Sequence, residues 1–252
     1  MNIIDSEEIL RSLGYDYIKE VEPSIEPPTT HITFNALIPE FKEHGIWLAD
    51  KSLYEHQYKA LESLIKGENL VLISGTGSGK TEAWFLYFYK KFKEGKFKTI
   101  TVYPTLALAN DQINRISTYC KAVGAKVLQL DAVSRDEMVK RFGVQGVRKA
   151  VDEADIVITN PAFLFHELKK YLVRPQSSLL YSLFKKVDMI VFDELDFYTP
   201  RGIALILALI EVLSETSDEK PQIVVLTATL ANPDEMCVYL REKTGRGCSV
   251  VE

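Results

Sequence analysis

Only three of the 252 residues are cysteine, Cys120, Cys237 and Cys248, and no two form a CxxC pair. That spacing argues against a zinc site, an iron–sulfur cluster or a secreted disulfide framework, so all three are expected to be plain packing residues. Long apolar runs are missing too. The longest, residues 203–210, falls far short of the roughly 20 residues a membrane span needs. Asp5, Glu7 and Glu8 stand where a signal peptide requires basic charge, so a cytoplasmic location is expected. Nor is positive charge in excess: 30 Lys and Arg against 35 Asp and Glu leave a net −5. Coating duplex DNA by counterion release alone is therefore disfavoured, while a local groove for one strand is not. Repeats and low-complexity tracts are lacking.

What is present is an ordinary composition, 46% hydrophobic and 26% charged, long enough to bury a full core without disulfides or metal. From residue 69 onward, β-branched runs at 70–73, 99–102, 127–130, 156–159, 190–192, 223–226 and 249–251 alternate with helical stretches at 54–66, 81–93, 106–122, 161–170, 202–215 and 232–242. Such spacing predicts right-handed β-α-β crossovers and a mostly parallel, twisted sheet of about seven strands. Each run is continuous rather than alternating, as expected for strands covered by helices on both faces. Asn232-Pro233 reads as a capped helix start. Residues 203–210 are apolar all round, so that helix should be enclosed on more than one side. The stretch 134–153 reads as one or two solvated helices. Residues 1–50 hold Pro23, Pro27, Pro28 and Pro39 and are expected to form a short helix near 6–13, an irregular crossing, and a strap packed on the core domain of residues 51–252.

The chemistry begins where the strand at 70–73 runs into Ser74-Gly75-Thr76-Gly77-Ser78-Gly79-Lys80-Thr81 and a helix follows. Glycines at 75, 77 and 79 let several backbone N–H groups turn inward, and the helix adds its positive N-terminal end, so a polyphosphate is held without bulky side chains. Lys80 is placed to neutralise the β- and γ-phosphates, and the Thr81 hydroxyl to bind Mg²⁺. Ser74 stands where the general pattern has Gly and is small enough to serve. A second element, the apolar strand ending in Asp193-Glu194-Leu195-Asp196, supplies what a cradle alone lacks. Asp193, at a strand's C-terminal edge, is a candidate Mg²⁺ ligand, and Glu194 a candidate general base that orients and deprotonates the attacking water.

Taken in order, these residues resemble the first RecA-like domain of superfamily 2 DNA/RNA helicases of the DExD/H type, a P-loop NTPase fold, over roughly residues 50–245. Residues 74–82 resemble motif I, Asp193-Glu-Leu-Asp196 the DExD form of motif II, Thr227-Ala-Thr229 motif III, residues 103–112 motif Ia, and Thr159-Asn-Pro161 a strand-contacting motif between Ia and II. The run at 103–112 together with residues 226–233 looks closer to DNA helicases of the MrfA and Lhr kind than to DEAD-box RNA helicases. The resemblance implies ATP as ligand, with Gln57 reading adenine through its amide and Tyr54 stacking near the base or sugar. It implies nucleic-acid phosphate contacts at Thr105, Thr159, Asn160 and Arg201. It also implies coupling of the nucleotide to the grip on the strand through Thr227 and Thr229.

The family's arginine fingers come from a second RecA-like domain in a segment rich in Gln, Arg and Gly, and no such segment follows Thr229. That domain is expected in the full-length protein or a partner, and the 252 residues alone are expected to hydrolyse ATP poorly, since such a finger is worth roughly 10³–10⁵ in rate. The leading expectation is therefore an ATP hydrolase that moves on or unwinds nucleic acid, DNA favoured over RNA, with no membrane partner. A translocase subunit of a nuclease or restriction system, and an ATP-dependent switch or scaffold, are the alternatives.

Overall fold

A computed structural model describes residues 10–16, 18 and 27–252. Of the helix expected near 6–13, residues 6–9 lie outside the described residues, and residues 10–12 are helical. The expected Pro-rich crossing also falls largely outside them.

From residue 27 onward the first elements are an antiparallel pair, β1 (Thr29–Thr33) and β2 (Ser52–Tyr54). Two one-turn helices lie between them, α1 (Phe34–Leu37) and α2 (Glu40–Glu43). Phe34 of α1, Phe41 of α2 and Ile38 between them are at most 2% exposed. Phe41 packs on Phe85 and Tyr119 at ring-centroid distances of 6.2 and 5.0 Å. The strap therefore contributes to the same core as the sheet.

From there, strands and helices alternate: α3 (Glu55–Ile65), β3 (Asn69–Ile73), α4 (Lys80–Glu94), β4 (Thr99–Val102), α5 (Leu106–Val123), β5 (Val127–Gln129), α6 (Ala132–Glu153), β6 (Ile156–Thr159), α7 (Pro161–Val173), α8 (Tyr181–Lys186), β7 (Met189–Phe192), α9 (Pro200–Thr216), β8 (Gln222–Thr227), α10 (Pro233–Thr244) and β9 (Cys248–Val251). The seven strands β3 to β9 form one sheet in the order β5-β6-β4-β7-β8-β3-β9, and every pairing is parallel. Side chains alternate between its faces. Leu70, Leu72, Val224 and Leu226 pack with α3, α4, α5 and the strap. Val71, Ile100, Ile190 and Val225 pack with α6 to α10 on the other side. With both faces covered there is no polar phase in the pattern, which is why the strands read as unbroken apolar runs.

Three local details depart from or sharpen the expectations. Helix α6 is two helices joined at Gly143, whose φ of +69° is left-handed and breaks the helical path. Helix α9 buries Ile206, Leu209, Ile210 and Leu213 and turns the small Ala204 and Ala208 outward, so its apolar circumference is enclosed on several sides without a large exposed patch. Asn232 begins α10 but does not cap it, its amide donating instead to Glu235 Oε2 at 3.1 Å.

The reading of all three cysteines as packing residues is corrected. Cys237 of α10 and Cys248 of β9 form a disulfide with Cα atoms 5.4 Å apart, while Cys120 is free and buried. The two lie eleven positions apart in the sequence, and the reversal of direction between α10 and β9 brings them together. A search for CxxC spacing does not detect such a pair. Among the described residues, no helix is long and apolar enough to cross a membrane.

Candidate functional site

Because every strand of the large sheet points the same way, all seven C-terminal ends lie along one edge, where α/β sheets bind ligands. The loop after β3 carries residues 74–79, the loop after β7 carries Asp193 to Asp196, and β8, ending at Thr227, runs between them. The phosphate loop and the acids, over a hundred residues apart in sequence, are thus separated by a single strand.

The loop turns tightly through Gly77 at φ +77° and Gly79 at φ +81°, conformations that an L side chain rarely adopts. A Cβ at Gly79 would also collide with the Gln57 amide. Lys80 opens α4 and is 6% exposed, its ammonium donating back to the carbonyls of Ser74 at 3.0 Å and Gly75 at 3.2 Å. The Thr81 hydroxyl donates to Gln112 Oε1 at 3.3 Å. Ser78 Oγ is buried without a partner.

Helix α3 braces this loop. His56 Nε2 lies 2.9 Å from the Ser78 carbonyl, the distance of a ring N–H donating to it. Burial, reinforced by the Lys80 charge, holds the imidazole below its ordinary pKa despite that bond. Gln57 is 2% exposed; its amide oxygen accepts from Tyr54 N at 2.9 Å and its NH₂ donates to the Gly79 carbonyl at 3.0 Å. An amide offers two N–H groups and two lone pairs, so one of each remains. Tyr54 stacks on His56 with centroids 5.5 Å apart.

Asp193 is 2% exposed, and burial followed by the neighbouring Glu194 charge pushes its carboxyl up to about 7. The Glu194 backbone N–H at 2.8 Å and the Lys80 charge oppose that rise. Tyr103 is wholly buried beside the same carboxylate and raised well above its ordinary range, by burial first and by Asp193 second, yet its hydroxyl closes no hydrogen bond of standard geometry. Glu194 is the only described non-glycine residue with positive φ, +52°, and its Oε2 is buried without a partner. A left-handed backbone at a side-chain-bearing residue costs about 1–2 kcal/mol.

Beyond the acids, Asp196 Oδ1 accepts from the Thr227 hydroxyl at 3.0 Å and from Ala228 N at 3.2 Å. Thr227 Oγ1 also contacts the Thr229 carbonyl at 2.8 Å and accepts from Thr229 N at 3.3 Å. Thr229 thus joins this turn through its backbone.

Three of the residues expected to touch a nucleic acid, Thr105, Thr159 and Asn160, lie at the ends of β4 and β6, on the side of the edge away from the phosphate loop. Exposed Thr105 caps α5, accepting from Leu108 N at 3.3 Å, and Asn160 caps α7, accepting from Phe163 N at 3.0 Å. Thr159 is 2% exposed with its hydroxyl sealed and unpartnered, so its side chain faces the interior and not a strand. Arg201 is exposed in the first turn of α9. The expectations passed over His56, Gln112 and Tyr103. The latter two fall inside the run 103–112, but that Gln112 meets Thr81 depends on α5 lying against α4, and that Tyr103 sits beside Asp193 follows from β4 lying beside β7.

Comparison with known proteins accords with this geometry. The chain is similar to the uncharacterized ATP-dependent helicase YprA of Bacillus subtilis (strain 168), 30% identical over 200 residues that cover 77% of this chain and 25% of the relative. It is similar to the ATP-dependent DNA helicase Hel308 of Pyrococcus abyssi, 28% identical over 207 residues covering 80% of this chain and 25% of the relative. The solved structure of the DUF1998 helicase MrfA bound to DNA and AMPPNP aligns with 98% of this chain and 34% of that one, at a TM-score of 0.68 and 25% identity. This chain spans about a quarter of the length of those curated relatives. A family model matches residues 54–236, the stretch that holds the phosphate loop, the acids and the Thr227 turn, and the chain belongs to the DEAD/DEAH box helicase family.

Proposed function

We propose that this chain is the ATP-binding motor domain of a helicase or translocase that couples ATP hydrolysis to movement on, or unwinding of, DNA. The observation that supports the reading is that the Lys80 charge acts on Asp193, the neighbour of Glu194, across one sheet edge and offsets part of the cost of ionising that carboxylate. Loop N–H groups freed by the turns at Gly77 and Gly79 bind the phosphates, and Lys80 leaves its own loop carbonyls to neutralise them. Thr81 and Asp193 would hold Mg²⁺, which when bound screens phosphate charge. A site with one hydroxyl and one carboxylate suits this ion, which takes its remaining ligands from water and the phosphates themselves. Glu194, with a buried and unpartnered carboxylate oxygen, orients the attacking water and takes its proton. To read adenine, Gln57 uses its remaining N–H and lone pair or gives up the Gly79 carbonyl. Tyr54 lies at the same end of α3 for the base or sugar.

Thr227 and Asp196 carry the state of the nucleotide site toward Thr105, Asn160 and Arg201, which hold backbone phosphates without reading sequence. A second RecA-like domain, in the full-length protein or a partner, completes the site with arginine. DNA is favoured over RNA because the MrfA structure is bound to DNA and Hel308 is a DNA helicase.

The test is ATPase activity of the full-length protein with single-stranded DNA, single-stranded RNA and no polymer. Stimulation by DNA is expected, and Lys80→Ala or Glu194→Gln should each lower turnover by roughly 10²-fold or more. Normal turnover in either variant overturns the roles given to those side chains.

A further inference from the structure

Charge is unevenly distributed over this molecule. Residues 160–187 hold five Lys and Arg and one acid, a net +4 in a chain whose total is −5. The one acid, Glu167, is 0% exposed and fully engaged by Lys170 Nζ at 2.8 Å, Ser178 Oγ at 3.0 Å and Leu179 N at 2.6 Å. No carboxylate of this segment therefore faces solvent.

The outward stripe of α7, spaced at three and four residues, begins one turn from Asn160 and includes Phe165, His166 and Lys169. It leads into a shallow cleft of about 300 Å³ lined by His166, Lys169, Lys170, Val173, Arg174 and Ser177. Phe165 is 39% exposed, and the Lys169 ammonium sits 5.7 Å from its ring centroid. Cations beside an exposed aromatic ring in a groove are the chemistry that holds a nucleic-acid strand without reading its sequence. Nine residues of helix lead from Asn160 to Lys169, about 14 Å, equal to roughly four nucleotide rises along the axis of B-form DNA.

We infer that this face of α7 is a second nucleic-acid contact, in which Lys169 and Arg174 hold the phosphates of the strand as it leaves the sheet edge at Asn160. The occupant is the phosphodiester backbone, chosen by charge complementarity, and the contact is independent of base sequence. This rests on the nucleic-acid reading above.

The test measures binding of single-stranded DNA by the full-length protein across a range of salt, for wild type and for K169Q/R174Q and K169E/R174E. Both positions are outside the nucleotide site, so ATPase without polymer should be unchanged. Losing two phosphate contacts should shallow the slope of log K against log salt by about 1.4 and weaken binding by roughly tenfold near 0.1 M salt, equally for different base sequences. The charge-reversed variant should lose more. Wild type that binds while both variants match it in affinity and slope overturns this proposal alone. That result includes the case in which the exposed Leu172 and Val173 dock another protein domain. Wild type that binds no nucleic acid overturns the functional reading as well.

Discussion

With its carboxyl pushed up to about 7, Asp193 takes up its proton more readily in the folded chain than in the unfolded one. The sign follows from linkage. The folded-state value lies above the unfolded one, so this group's contribution to stability is complete below about pH 4 and is lost as pH rises through about 7. Ionising it without a bound cation costs on the order of 2–4 kcal/mol. Asp193→Asn keeps an oxygen for the Glu194 N–H and removes the charge. It should raise the melting temperature at pH 8 and flatten the dependence of stability on pH between 5 and 8. Thermal denaturation across that range checks it, and an unchanged profile counts against the buried charge. Metal affinity should fall below pH 7 in the wild type, because the ligand must be deprotonated. At the other end of the loop, Gln57→Ala leaves the Tyr54 N–H and the Gly79 carbonyl without their partner. Urea denaturation should show a loss of about 1–3 kcal/mol, with weaker nucleotide binding from a loosened loop.

At the scale of elements, the contact between the end of β8 and the turn after β7 joins the two halves of the edge. Thr227→Val removes a hydroxyl bonded to the Asp196 carboxylate, an interaction worth about 1.5–3 kcal/mol. If the bond transmits the nucleotide state, stimulation of ATPase by DNA should fall by roughly ten- to a hundredfold while turnover without DNA changes less. Equal loss of both rates would mean that the hydroxyl serves the chemistry itself. The disulfide acts on the opposite flank, tying α10 to β9, which pairs with β3, the strand leading into the phosphate loop. A closed loop of this length stabilises by about 3 kcal/mol through the unfolded state. Reduction, or Cys237→Ser with Cys248→Ser, should therefore lower the melting temperature by several degrees, readable by calorimetry with and without reductant.

For the molecule as a whole, the parallel sheet is what makes one edge of so many distant residues. Much of that was legible along the chain. Unbroken apolar runs announced strands buried on both faces, and the intervals between them required crossover helices, so β3 to β9 could be placed to within a residue or two. The glycines at 77 and 79 marked the turns by their own conformational freedom, and Asp193 and Glu194 stood out as charges directly after an apolar strand. These are local properties, encoded within a few neighbouring residues. What depended on the order of strands was hidden from a linear reading. The pairing of Cys237 with Cys248, the buried orientation of Thr159, the bracing of the loop by His56 and Gln57, and the placement of Tyr103 against Asp193 all follow from which elements lie side by side. Side-chain direction, burial and the electrostatic cost of a charge are set by neighbours remote in sequence. Residue types and their spacing therefore determined the kinds of element and the chemistry at their ends, whereas only packing in three dimensions decided which groups face one another and how far burial shifts their charges.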